Sequence, residues 1–247
     1  MTGWVTADSR LNGFGGFHGG LALALLASAA REQVPGLQLQ SITGRFDRAI
    51  GTGFDVKASL IRSGRSTAVV SARAESDKGV HIEASAVYGV PTEPVWDAVA
   101  PTAPQAPPPE DCDVLTIPPE FVPVAASMEI RPVGAARPYG GGTEPELIAW
   151  VRLLEDDDPP DVLRLIFLMD ALAPSYTATL STLALAPTIE LTVRPADGLV
   201  GAASPWILVR ARTSASSVGG WIDEHMEVWG RDGALLGTGH QLRILRT

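Results

Sequence analysis

Residues 161–174 read DVLRLIFLMDALAP, a run whose apolar side chains would point to nearly every side of a helix. The breaker Pro159-Pro160 precedes it, and Asp161 supplies negative charge at the first turn, where the helix dipole favours it. Pro174 bars continuation, so the pattern predicts a helix over 161–173. A helix apolar all round must be covered by other elements. Asp170, in its last turns, is then costly unless it is hydrogen-bonded or put to use.

A second apolar run obeys the same constraint. Gly13 to Gly20, GFGGFHGG, opens a stretch without charge until Arg31, predicting a helix over 17–31. Glycine-rich backbone entering a helix either presents N–H groups to a polarised oxygen or lets the helix pack closely. A dinucleotide fingerprint is excluded: His18 stands where the third glycine belongs, and no strand precedes it. Strand-like alternation follows at 39–48, 53–62, 66–76 and 80–90, the last two joined by Asp77-Lys78-Gly79. Residues 91–123 hold half of the 20 prolines, predicting a linker or extended crossover without packed structure. The series then recurs. Strand character returns at 127–131 and 147–154, and the 161–173 helix follows. Strands are predicted again at 188–194, 206–213, 220–229 and 235–245, with Asp232-Gly233 as the final hairpin turn. A helix followed by antiparallel strands, twice in one chain, is an internal duplication. It divides the sequence into units at 1–90 and 124–247 with the Pro-rich linker 91–123 between them, and each sheet must curl round its helix. The fold class is α+β.

A formal charge of −9, with 19 Lys+Arg against 28 Asp+Glu, disfavours a nucleic-acid partner. The single Cys112 leaves no intramolecular disulfide and fits a reducing, cytoplasmic setting. Leu21 to Ala30 has the look of a secretory apolar region, but Asp8 and a glycine turn precede it and it is too short to span a bilayer. No metal-ligand spacing, Gly-x-Ser-x-Gly elbow or phosphate-binding loop occurs, so neither a metal, a cofactor nor a serine nucleophile is expected.

Several stretches match one family in order and spacing. They are Phe14-Gly15-Gly16 with His18-Gly19-Gly20, Phe167-Leu168-Met169-Asp170, and Thr188-Ile189-Glu190-Leu191-Thr192-Val193-Arg194-Pro195. Trp206-Ile207-Leu208 through Thr213-Ser214-Ala215-Ser216-Ser217, and Asp232-Gly233 through Thr238-Gly239-His240-Gln241, continue the match. With these the chain resembles the acyl-CoA thioesterase II (TesB-type) and thioesterase-like family, whose fold is the double hotdog. That fold is two tandem units, each a long helix wrapped by a curved antiparallel sheet. The resemblance implies an acyl-CoA substrate and no cofactor; the family's assembly, often several double-hotdog chains such as a homodimer or homotetramer, is not carried by these residues. It also implies that Asp170, Thr188 and Gln241 hold the water that attacks the thioester. The loop between Asp170 and Thr188 is shorter than in better-known members, which bears on the mouth of the acyl pocket.

Further expectations concern individual residues. Backbone N–H groups near Gly16, Gly19 and Gly20 are candidates for meeting charge on the thioester oxygen. His18 is either a structural or carbonyl contact, or the base of a hydratase or dehydratase, as in hotdog dehydratases. Arg62, Arg65 and Arg212 are candidates for coenzyme A phosphates or are simply solvated, and His81 and His225 are expected at the surface. The rival functional reading is a degenerate hotdog that binds acyl-CoA or acyl chains without turnover.

Overall fold

The structure, a computed structural model, describes residues 3–91 and 99–246; residues 92–98 of the expected linker lie outside them. The first half contains β1 (Gly3–Thr6), a small hairpin of β2 (Asn12–Gly13) and β3 (Gly16–Phe17), and helix α1 (Gly19–Glu32). Then come β4 (Gln38–Phe46), β5 (Gly53–Ser63), β6 (Thr67–Ser76) and β7 (Gly79–Gly89). The second half contains β8 (Met128–Pro132), β9 (Glu146–Leu153), helix α2 (Val162–Met169), β10 (Thr188–Pro195), β11 (Ile207–Ser216), β12 (Trp221–Gly230) and β13 (Leu235–Ile244). The alternating segments thus form strands within a few residues of the expected bounds.

All the long strands join one antiparallel sheet in the order β1-β5-β6-β7-β4-β10-β13-β12-β11-β9-β8. Its two halves meet where β4 pairs with β10, Ile42 opposite Val193 and Gly44 opposite Leu191. Each helix lies against strands of its own half, α1 on β4 to β7 and α2 on β10 and β13, and the two helices also touch each other.

Alanine and glycine set how close α1 sits. Its buried side chains are Ala22, Leu23, Ala24, Leu26, Ala27, Ala29 and Ala30, facing Ala68, Ala72, Ala74, Ala84 and Ala86 of the sheet. Small residues on both surfaces shorten the gap between them, so each larger side chain needs a hole. Leu23 finds one over Gly44, where an added Cβ would lie 2.7 Å from its Cδ1. On β13 the inward residues Gly237 and Gly239 do the same for Leu165 and Met169 of α2.

Helix α2 is shorter than the sequence predicts. The Asp161 carboxylate caps it by accepting from the Leu163 and Arg164 N–H groups, but the helix ends at Met169. Asp170 leaves helical geometry at φ −101°, ψ 17°. Pro174 restricts the residues before it, and the Asp170 side chain is drawn to a partner outside the helix.

The proline-rich crossover is extended, as expected, but its described part is packed. Trp150 Nε1 donates to the Pro107 carbonyl at 2.8 Å and Trp229 Nε1 to Pro101 at 3.1 Å. Cys112 is buried with Trp150, Trp206 and Leu208 in a second, smaller apolar cluster. The outward faces of these strands carry too much tryptophan to stand in water, and the crossover covers them. His81 also departs from expectation. It is buried, its ring bonded to Ser76 Oγ (2.8 Å) and the Ala49 carbonyl oxygen (3.1 Å), because the β4–β5 connection folds over it. Among the described residues no helix is long and apolar enough to cross a membrane.

The Leu23–Gly44 contact is testable by a double-mutant cycle. Gly44→Ala should cost about 1–3 kcal/mol by overpacking and Leu23→Ala about 2–5 kcal/mol by leaving a cavity. In urea unfolding the double variant should lose less than the sum, since removing Leu23 frees the space the new methyl needs.

Candidate active site

Asp170 stands where the two helices meet end to end. As the C-cap residue of α2 it is turned toward the N-terminus of α1, and its Oδ2 accepts the Gly20 N–H at 2.9 Å. A carboxylate at a helix N-terminus is favoured both by the free N–H groups and by the dipole. The approach requires glycine. A Cβ on Gly20 would fall 2.7 Å from Asp170 Cβ and 2.9 Å from the Phe167 carbonyl oxygen, and one on Gly19 would lie 3.2 Å from Asp170 Oδ2.

His18 caps α1. Its Nδ1 accepts the Leu21 N–H at 3.3 Å, which puts the ring proton on Nε2. Nε2 then donates to the Asp170 main-chain oxygen at 3.1 Å, and lies 3.8 Å from the carboxylate Oδ2. The ring stands edge-on to Phe167, 5.1 Å between centroids. Burial is the main influence holding the imidazole below its ordinary 6.5; the charge of Asp170 opposes it. With both nitrogens engaged and the ring neutral, His18 fixes the helix junction and has no free basic nitrogen for a dehydratase step.

From the other side Gln241 Nε2 donates to Asp170 Oδ1 at 2.6 Å. The register of β13 accounts for its placement. Residues 237, 239, 241 and 243 alternate inward; the two glycines lie under α2, and Gln241 comes level with the helix end. The next inward residue is Arg243, 6% exposed. Its Nε donates to Glu224 Oε2 at 2.8 Å, its Nη1 to Thr188 Oγ1 at 2.9 Å, and its Nη2 to Gln241 Oε1. Nη2 is also 3.5 Å from Asp170 Oδ1. Glu224, 1% exposed, lies on β12 directly opposite Gln241 and accepts the Ser175 N–H with its other oxygen. Ser175 Oγ in turn bonds Thr213 Oγ1 at 2.9 Å.

The chemistry of arginine settles the orientation of Gln241. A guanidinium only donates, so the amide oxygen must face Arg243 and the NH2 must face Asp170. Thr188 accepts from the same arginine, which leaves its hydroxyl proton free to donate elsewhere. Asp170 accepts one hydrogen bond at each oxygen within 3.0 Å, and each oxygen retains a lone pair.

Of the expected site residues, Asp170, Gln241, His18, Gly19 and Gly20 converge directly, and Thr188 is tied to them through Arg243. Gly16 does not join them. It packs against Ala49 and Ile50, where an added Cβ would meet the Ile50 carbonyl oxygen at 3.0 Å. The Gly20 N–H is taken by Asp170, whereas the Gly19 N–H bonds no described residue. Arg243 and Glu224 escape a reading by motif. The signal was available: on β12 the inward series Ile222, Glu224, Met226, Val228 carries one acid on an apolar face, opposite a strand with one buried base. Just past Asp170, Leu172 and Ala173 border a narrow apolar cleft with Leu115, Ile117, Ile130 and Leu147.

Comparison with known proteins places the chain in a family. Residues 7–89 match the family model of the acyl-CoA thioesterase N-terminal domain, and residues 103–245 that of the C-terminal domain. The chain belongs to the acyl-CoA thioesterase family. Its structure is similar to a conserved hot dog fold protein of unknown function from Alicyclobacillus acidocaldarius, 25% identical, with 99% of this chain and 92% of that one covered and a TM-score of 0.90. It is also similar to a thioesterase II candidate from Thermobifida fusca YX (20% identity, coverage 99% and 92%, TM-score 0.85). A third similar structure is the acyl-CoA thioesterase II TesB2 of Mycobacterium marinum (20% identity, coverage 92% and 88%, TM-score 0.73). No curated protein matches the sequence significantly. Within the family frame, the C-terminal domain supplies Asp170, Gln241 and Arg243, and the N-terminal domain supplies the helix terminus they face.

Two outcomes follow for stability. Arg243→Met leaves Glu224 buried without its cation and should cost about 3–5 kcal/mol in urea unfolding; adding Glu224→Gln should recover part of that loss. His18 binds its proton less readily folded than unfolded, so its contribution is full above 6.5 and is lost as pH falls toward the lowered folded value. His18→Asn, which keeps a capping acceptor, should flatten the decline of the melting temperature between pH 7 and 5.

Proposed function

We propose that the protein is a double-hotdog acyl-CoA thioesterase in which Asp170, Thr188 and Gln241 hold the attacking water. The observation that carries this reading is the Asp170 carboxylate, bonded on one side by Gly20 N–H and on the other by Gln241, with a lone pair left on each oxygen. The water would lie between that carboxylate and the Thr188 hydroxyl. It attacks the thioester carbon as its proton passes to Asp170, and the carbonyl electrons move onto oxygen. When the carbon–sulfur bond breaks, the leaving thiolate takes the proton back, giving the free acid and coenzyme A. The Gly19 N–H, the donor at the start of α1 that bonds no described residue, is suited to the developing oxyanion.

Arg243 acts through the residues it holds. Its guanidinium keeps Gln241 and Thr188 in single orientations, and Glu224 balances its charge. The apolar cleft bordered by Leu172 and Ala173, which follow Asp170 closely in sequence, would receive the acyl chain.

Asp170→Asn removes the base but leaves an acceptor for Gly20. It should keep the fold and lower kcat, read by thiol release across acyl-CoA chain lengths, by roughly 10²–10⁴-fold. Full activity in the variant overturns the role of Asp170. Thermal stabilisation by acyl-CoA, with no thiol released from any chain length by the unmutated protein, would instead favour acyl-CoA binding without turnover.

A further inference from the structure

The outer face of the second half carries a cluster that thioester hydrolysis does not use. His225 on β12 and His240 on β13 are directly opposed, and Asp223 is two residues before His225 on the same strand face. The two imidazole rings lie 5.0 Å apart, and His240 Nε2 is 2.5 Å from Asp223 Oδ1. One ligand atom from each of the three residues lies within 4.8 Å of the other two. The side chains of Asp223 and His240 are 43% and 31% exposed, and His225 is exposed, so all three can adjust without disturbing the core.

We propose that Asp223, His225 and His240 form a binding site for a divalent transition metal, Zn²⁺ or a similar ion, separate from the Asp170 centre. Two imidazoles and a carboxylate are a donor set suited to Zn²⁺ and its neighbours rather than to Ca²⁺ or Mg²⁺, which take oxygen ligands. Zinc bonds of about 2.0–2.1 Å to nitrogen and oxygen put ligand atoms of a tetrahedron about 3.3 Å apart. The closest pair must therefore open by less than an ångström and the wider ones close, within the reach of exposed side-chain rotations. The metal takes the place of the hydrogen bond between His240 and Asp223. Its fourth position opens to solvent. Arg212 lies opposite His225 on β11, and Glu146 stands across from Arg212 on β9. Bound metal would clamp β12 to β13 one residue before Gln241, on the other face of the strand.

The test uses the full chain without a histidine tag, stripped with chelator and then titrated with Zn²⁺ by calorimetry and with Co²⁺ by its visible absorption. One ion per chain is expected, with a rise in melting temperature. His225→Ala should weaken binding by about tenfold or more, and His225→Ala/His240→Ala should abolish both the binding and the thermal shift while circular dichroism remains native. Failure to bind one ion per chain, or equal binding by the folded double variant, overturns the proposal. Neither readout depends on hydrolysis, so the metal site and the thioesterase reading stand or fall separately.

Discussion

The carboxylate of Asp170 against the first turn of α1 is the contact on which the arrangement of this protein turns. It satisfies an acid that would be costly to bury and occupies one of the orphan N–H groups of a helix start. It also pins together the two halves of the chain at a place where neither side has room for a methyl group. The glycines at 19 and 20 therefore serve packing first. Gly20 also supplies the N–H that the Asp170 carboxylate accepts.

Around this junction the polar groups form a chain of obligations. Asp170 fixes Gln241, Arg243 fixes the amide the right way round, and Glu224 holds Arg243. A buried ion pair of this kind contributes little net stability compared with apolar residues of equal volume, while removing one member leaves an unpaired charge. Its value here is orientation: a donor-only guanidinium turns the Gln241 amide oxygen toward itself and leaves Thr188 to accept from it with the hydroxyl proton free.

Much of the fold was legible in the sequence because period-2 alternation and turn dipeptides are local signals. The strands at 53–63 and 188–195 follow the alternation, and Asp232-Gly233 forms the turn expected between the last two strands, with Gly233 at φ +83°. The end of α2 was less legible. The apolar run continues to Leu172, but helical geometry stops at Met169, where Asp170 turns to a partner, Gly20, far away in sequence and so outside any local signal. The crossover misled for a related reason: proline content reports a lack of regular structure, not a lack of contacts, and the outward-facing tryptophans of neighbouring strands are buried beneath it. Asp170, Thr188 and Gln241 were candidates by resemblance alone, and inward alternation from Gln241 leads to Arg243 as well. Gly16 was grouped with Gly19 and Gly20 by sequence proximity, whereas the β2–β3 hairpin turns it toward Ile50.

The crossover also decides what kind of object the two halves make. Each half has a helix and a share of the sheet, yet one contributes the acid and the other the helix terminus that receives it. A chain nicked within residues 99–123 would therefore separate the acid from its receiving helix without cutting any strand or helix of the large sheet. Hydrolysis by the rejoined fragments would then report the docking of one half on the other, making the centre a gauge of that internal interface.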